Sequence, residues 1–431
     1  MRIYFLFLIL VFNSNYTLRS QNLSENYDSL IHTNHIFVNN IKTIQLHKNG
    51  WELSYPILEL NSSEKLLLSF DDLADEVGDY YYTYIHCDAG WNTSDLIETD
   101  FIEGFPENQI TNYEFSFNTT VKYIHYKLEF PNDDIQFRIS GNYILLVYKS
   151  FNKEEPLFTR RFLVYENLVD VHASFIRPTI TKFRDTGQEI EVSVKHLRYN
   201  ILDPYSDIKV VVSQNGRWDN AVKFDKPSFV RNREIVYDFD RKNIFYGGSE
   251  YRYFDIKSIR YQTEYIRTID FMHPNYHIGL YPSKSKASLS YFFNQDLNGK
   301  FYIRIQEGVN NDTEADYVKV YFTLTMDYPL GRSDIYVFGA LSDWACKADN
   351  HMIYNIDTRA YEGSLLLKQG YYNYEYIVKE KGKVVANNTL IEGSHFETEN
   401  DYLVFVYYQG SGTRYDRIIG TVMVNTLSNP K

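Results

Sequence analysis

A chain of 431 residues exceeds what one small core can hold and is expected to form about three domains at the usual ~150 residues each. Aromatic residues make up 17% of it, too many for a disordered chain, while 21 Gly and 11 Pro are too few for collagen-like or low-complexity material. A net charge of -12 argues against a nucleic-acid-binding surface, and two Cys exclude a disulfide framework or a four-thiolate zinc site.

At the start, Met1 and Arg2 precede an unbroken apolar run, Ile3 to Phe12, too short to cross a ~30 Å hydrocarbon core. The run, followed by polar Asn13 to Ser20, is expected to be a signal peptide spanning 1–20, cleaved before Gln21, with an N-terminal extension over 21–37. No later stretch is apolar enough for a transmembrane segment. A membrane-spanning barrel is disfavoured by the charges its outward faces would carry, among them Lys127, Glu129, Glu189, Glu191 and Lys195.

From there the pattern has period two. In Tyr123 to Phe130 the side chains Ile124, Tyr126, Leu128 and Phe130 share one face, and Tyr123, His125, Lys127 and Glu129 the other. Similar alternation predicts strands in Glu189 to Leu197, Asp207 to Ser213, Phe301 to Gln306, Asp316 to Leu324, Tyr371 to Lys379 and Tyr402 to Tyr408. Asn215-Gly216, Asn298-Gly299 and Lys381-Gly382 supply turn chemistry between such runs. One helical turn is expected at Asp71 to Glu76. The fold class is therefore all-β: tandem immunoglobulin-like or early-set β-sandwich modules, mostly antiparallel. Lapses in the alternation place the modules at 38–166, 167–326 and 327–425, with a frayed tail at 426–431. Such short connections predict a stiff rod of modules.

Three constellations invite a chemical role. His86, Cys87 and Asp88 are consecutive, so in a strand they project alternately and do not converge, and Cys87 reads as a small buried hydrophobe. A Cys87–Cys346 bond would need Cα atoms of two distant modules within ~7 Å. Asn294-Gln295-Asp296-Leu297-Asn298-Gly299 resembles the start of a calcium loop, but Ile305 stands where the bidentate Glu belongs, and a hairpin between Leu289–Phe293 and Lys300–Ile305 accounts for the same residues. In the third module, Asp334–Ala340, Leu341-Ser342-Asp343-Trp344 and Gly370–Tyr376 resemble early-set sandwiches of starch- and glycogen-binding modules, with Trp344 as one candidate stacking residue and the tyrosines of Gly370–Tyr376 as others. No catalytic residue, cofactor-binding residue, metal ligand or cofactor is expected.

One longer pattern remains. Tyr84-Ile85-His86-Cys87-Asp88-Ala89-Gly90-Trp91, then Ser94-Asp95-Leu96, Gly104-Phe105, Ser116-Phe117-Asn118-Thr119, Tyr126, Phe130-Pro131-Asn132 and Ser140–Leu145, resembles the type IX secretion system plug protein family of Bacteroidetes. Phe293–Lys300 and Ala315-Asp316-Tyr317-Val318 extend the likeness, while Gly90 stands where the family commonly has an acidic or polar residue. The resemblance implies a non-catalytic periplasmic protein, on the inner side of the outer membrane, that reversibly seals the large translocon barrel of that system when cargo is absent. It implies the barrel as protein partner, and no nucleic acid and no small-molecule substrate. The alternative is an exported carbohydrate-binding β-sandwich protein of the cell envelope. An enzyme would instead require a pocket holding a shifted titratable group.

Overall fold

The computed structural model describes residues 31–428 apart from 225, 239, 240 and 384. The expected signal peptide, residues 21–30 and residues 429–431 lie outside the described residues. Strand accounts for 48% of the chain and helix for 7%, so the protein is all-β with tandem sandwich modules.

The first unit packs two mainly antiparallel sheets. One runs His35–Ile36, Asn152–Tyr165, Gly141–Lys149, Tyr80–Cys87 and Asn108–Gln109; the other runs Ile41–Lys48, Leu66–Asp72, Ile124–Phe130 and Asn112–Phe115. Tyr82, Tyr84, Tyr143, Leu145, Phe158 and Phe162 from the first sheet meet Leu68, Phe70, Tyr126 and Phe130 from the second. Phe70 and Tyr126 stack at 5.0 Å between ring centres. His35–Ile36 pairs with Phe158 and Thr159, so the unit begins inside what reads as an extension.

Two strands in the chain show why alternation sometimes vanishes. Tyr143–Tyr148 is apolar at every position because Tyr143, Leu145 and Val147 fill the first core while Ile144 joins a separate cluster behind the sheet. Asp401–Tyr408 behaves likewise, with Tyr402, Val404 and Val406 on one side and Leu403, Phe405 and Tyr407 on the other. A strand covered on both faces has no polar face to display.

The second sandwich pairs Asp170–Ile176, Gly187–Lys195, Glu234–Tyr237 and Phe229–Arg231 against Val222–Phe224, Ile208–Gln214, Asp401–Tyr408 and Arg417–Asn425. The third is a nine-stranded sheet from Arg252–Asp255 through Gly370–Glu380, Ser333–Phe338, His351–Asn355, Ala360–Lys368, Tyr317–Thr325 and Asn275–Leu280 to Ile266–Met272, with Phe301–Ile303 on Gly370–Glu380; its ends share one core.

These pairings cross the expected boundary at 326/327. Ile208–Gln214 takes Asp401–Tyr408 as its neighbour with Val210 opposite Val406, and Tyr317–Thr325 pairs along its whole length with Ala360–Lys368. The second sandwich is thus assembled from both sides of the third in sequence. Alternation marks a strand but does not name its neighbour, which only long-range pairing decides. Three local expectations also change. Asp71 and Asp72 finish the strand Leu66–Asp72 instead of forming a helical turn. Residues 289–299 form no strand, and the Asn298-Gly299 turn leads to a short strand that pairs with Gly370–Tyr372. Thr426 is buried, and its hydroxyl donates to the Thr398 carbonyl while accepting from the Asn400 amide, so the tail is fixed at that residue. Finally, each sandwich touches both others, as the contacts below show, which makes a closed three-body block instead of a rod.

Candidate functional site

The contacts that lock the block are built from the outer faces of the sandwiches. Between the first and second units, Cys87, Ile144 and Leu163 pack on Val211, Leu403, Phe405, Tyr407 and Ile418. Each such side chain contributes about 1.5–3 kcal/mol if fully buried, so the seam is strongly cohesive. The Trp91 and Trp218 rings meet edge-to-face at 4.8 Å, and the Arg161 guanidinium lies 4.3 Å from the Trp91 ring centre. Polar contacts frame the seam: Tyr407 Oη donates to Asn142 Oδ1 at 2.7 Å, Lys209 meets Asp416 at 2.7 Å, and Arg417 meets Glu166 at 2.6 Å.

The seam explains the Tyr84–Trp91 motif. His86 points into the first core, with Nδ1 2.9 Å from Ser94 Oγ and its ring edge-on to Tyr143, whereas Cys87 faces the second unit. Asp88 Oδ1 accepts from the amides of Gly90 and Asn92, each at 2.8 Å, closing a turn in which Trp91 has φ of 67°. The acidic group needed at that turn is Asp88, which leaves Gly90 free of any polar duty. Burial pushes the His86 pKa down to about 4 and the Cys87 thiol up to about 12. The three residues diverge as the strand alternation requires, and both Cys87 and Cys346 are free thiols.

The first and third units are joined by buried charge. Asp71, fully buried, accepts from Lys368 Nζ at 2.7 Å, Tyr317 Oη at 2.7 Å and His125 Nδ1 at 2.6 Å. Burial by itself would raise its pKa; the Lys368 charge and the His125 hydrogen bond outweigh that and hold it below the usual carboxylate range. Lys368 also donates to the Asp312 carbonyl and lies 4.1 Å from the Tyr123 ring centre. Nearby, Asp316 accepts from the Thr120 amide and hydroxyl, both at 2.9 Å. Alternation assigns Tyr123 and His125 to the half-exposed face of their strand; the third unit covers them instead.

The second and third units meet where Arg217 Nη1 lies 3.3 Å from Glu375 and its guanidinium 4.9 Å and 5.2 Å from the Phe338 and Trp344 rings. Trp344 is therefore half-buried in a seam between units, packed against Arg217 and Phe338. Asp296, the third residue of the calcium-like run, spends its carboxylate on the Tyr251 and Asn298 amides, and burial lifts its pKa to about 7. Among the described residues no group of three or more His, Cys, Asp or Glu is arranged to hold a metal ion, and no helix is long and apolar enough to cross a membrane.

Where all three seams converge, a cavity of about 170 Å³ opens, lined among others by Tyr55, Arg161, Ser213, Trp218, Lys300 and Trp344. Outside the block, one edge strand is unlike the rest. Asn112–Phe115 is exposed at every residue and among the described residues pairs only with Ile124–Phe130, while just beyond it the Phe117 amide donates to the Thr313 carbonyl of the third unit. Tyr113, Phe115 and Phe117, spaced two apart, are 41%, 60% and 62% exposed.

Fold and site together define a multi-sandwich protein whose Tyr84–Trp91 motif sits at a contact between its own modules, with an exposed aromatic edge on the first. A family model, "Type 9 secretion system plug protein 1st domain", matches residues 41–166, the first sandwich. The crystal structure of a hypothetical protein from Parabacteroides merdae ATCC 43184 is 35% identical, covers 91% of this chain and 99% of its own, and superposes with a TM-score of 0.89. The chain belongs to the type 9 secretion system plug protein family. Dimeric latent PorU from Porphyromonas gingivalis aligns over 90% of this chain and 34% of its own at 11% identity, with a TM-score of 0.16 that carries no structural argument. No curated protein matches the sequence.

Proposed function

We propose that this protein is the periplasmic plug that reversibly seals the outer-membrane translocon barrel of the type 9 secretion system when no cargo fills it, acting as a rigid obstruction without catalysis. The supporting observation is the closed three-body block, in which apolar and ionic seams join all three sandwiches. Family membership supports a secretion-associated role and an envelope location. The exposed aromatic row Tyr113, Phe115 and Phe117 has the composition of a protein-contact surface. A plug must also leave, which limits its grip: a micromolar dissociation constant corresponds to about 8 kcal/mol, and each further ~1.4 kcal/mol slows release about tenfold at constant association rate.

The test is a dye-permeability assay on cells lacking the protein, paired with affinity purification from envelope extract. Leakage of small dyes, and a giant barrel as the main copurifying protein, support the proposal. Unchanged permeability refutes it.

A further inference from the structure

Two cations in the wall of the junction cavity have no counter-ion. Arg160, also in the wall, meets Asp343 at 2.9 Å, but among the described residues no carboxylate lies within 4 Å of Arg161 or Lys300. Arg161 Nε donates to the His32 carbonyl at 2.7 Å, and its guanidinium lies 4.3 Å from the Trp91 ring centre and 5.9 Å from that of Trp218. Lys300 Nζ donates to the Leu53 carbonyl at 2.8 Å and lies 3.6 Å from the Tyr55 ring centre. Ser213 lines the same space; it is 1% exposed, and its hydroxyl has no hydrogen-bond partner. Burying charge and an unpaired hydroxyl is costly without a partner. Burial accordingly depresses the pKa of Lys300 to about 8 and that of Arg161 to about 10, the distant Asp401 charge offsetting part of the effect at Lys300.

The shape narrows the partner. At about 170 Å³ the cavity suits a small organic occupant. The planar Arg fork suits a planar carboxylate, and the flanking Trp218 and Trp344 rings suit a flat apolar body. Domain junctions are where such pockets concentrate.

We propose that the junction cavity binds a small organic carboxylate with a flat apolar body, its oxygens held by Arg161, Lys300 and the Ser213 hydroxyl. The ligand ties the three sandwiches together, and the inference stands independently of what the outer surface of the block meets. The other titratable groups of the cavity wall are the Tyr55 hydroxyl, which donates to Asp401, the Arg160–Asp343 pair, His47 and Glu52. Bound carboxylate favours the ammonium form of Lys300, so binding takes up a proton near pH 8 and weakens as pH rises beyond that value.

Isothermal titration of the purified chain with sodium benzoate, with inorganic phosphate and sodium chloride at matched ionic strength as comparisons, tests this. The expected result is saturable binding of one benzoate per chain and a raised melting temperature. Arg161→Gln and Lys300→Gln each weaken binding about tenfold or more, a change of ~1.4 kcal/mol. Titrations near pH 8 in two buffers of different ionisation enthalpy report proton uptake, which disappears in Lys300→Arg while binding persists. Should a charge variant fail to fold by circular dichroism, Ser213→Ala, which removes a hydroxyl that makes no bond in the free protein, still weakens binding. Absence of saturable benzoate binding, unchanged affinity in the folded variants, or preference for phosphate over benzoate overturns the proposal.

Discussion

Replacing Lys368 by Met exposes how much the first and third sandwiches depend on one buried charge pair. Lys368 Nζ sits 2.7 Å from Asp71 Oδ2, and both side chains are essentially sealed from water. At an effective dielectric of about 20, two unit charges at that distance attract by about 6 kcal/mol, an attraction that desolvation of both groups largely cancels. The cancellation fails in the variant. Asp71 stays fully buried with only Tyr317 and His125 as donors, and an orphaned buried charge costs about 3–5 kcal/mol. Adding Asp71→Asn removes the stranded charge, so the double variant is expected to be less destabilised than the sum of the singles by at least ~1–2 kcal/mol. Urea titrations followed by intrinsic fluorescence measure all four corners of this cycle, and small-angle scattering below the midpoint shows whether the first unit swings away before it unfolds. A Lys368→Met variant within ~1 kcal/mol of the parent, or strictly additive effects, would refute the claim that this pair fastens the units.

Other outcomes follow from the same geometry. The depressed pKa of His86, about 4 against 6.5 in an unfolded chain, means the unfolded state binds more protons between those values; stability falls by roughly 3 kcal/mol as pH drops through that window, and His86→Asn flattens the dependence in acid titrations. Burial lifts the thiols of Cys87 and Cys346 to about 12 and about 11, so a thiol reagent at about pH 8 labels neither in the folded chain and both after denaturation; rapid native labelling contradicts the structure. Gly299→Ala places a Cβ 2.2 Å from the Trp344 ring at φ of 78° and is expected to lower stability by roughly 1–3 kcal/mol by thermal melting. Joint replacement of Phe115 and Phe117 by Ser changes stability by no more than ~0.5 kcal/mol each yet reduces copurification of the barrel; undiminished copurification removes this edge from the contact surface.

Much was legible from residue order alone. The period-two runs at Ile124–Phe130, Gly187–Lys195 and Tyr317–Thr325 are strands because alternate side chains need opposite environments, and the ordered string from Tyr84 to Trp91 marks the family. Cys87 was recognisable as a buried hydrophobe from its place in that alternation. What covers it was not, since the Val211 and Phe405 that pack near it belong to strands far along the chain. The same holds for Asp71, whose partner Lys368 lies 297 residues away, and for the cavity where Arg161, Ser213 and Lys300 converge. Local pattern reports which side chains share a face. Only the closing of three sandwiches on one another decides which strand neighbours which, which outer faces become inner ones, and which charges are left without partners, because those are consequences of long-range packing that no window of sequence contains.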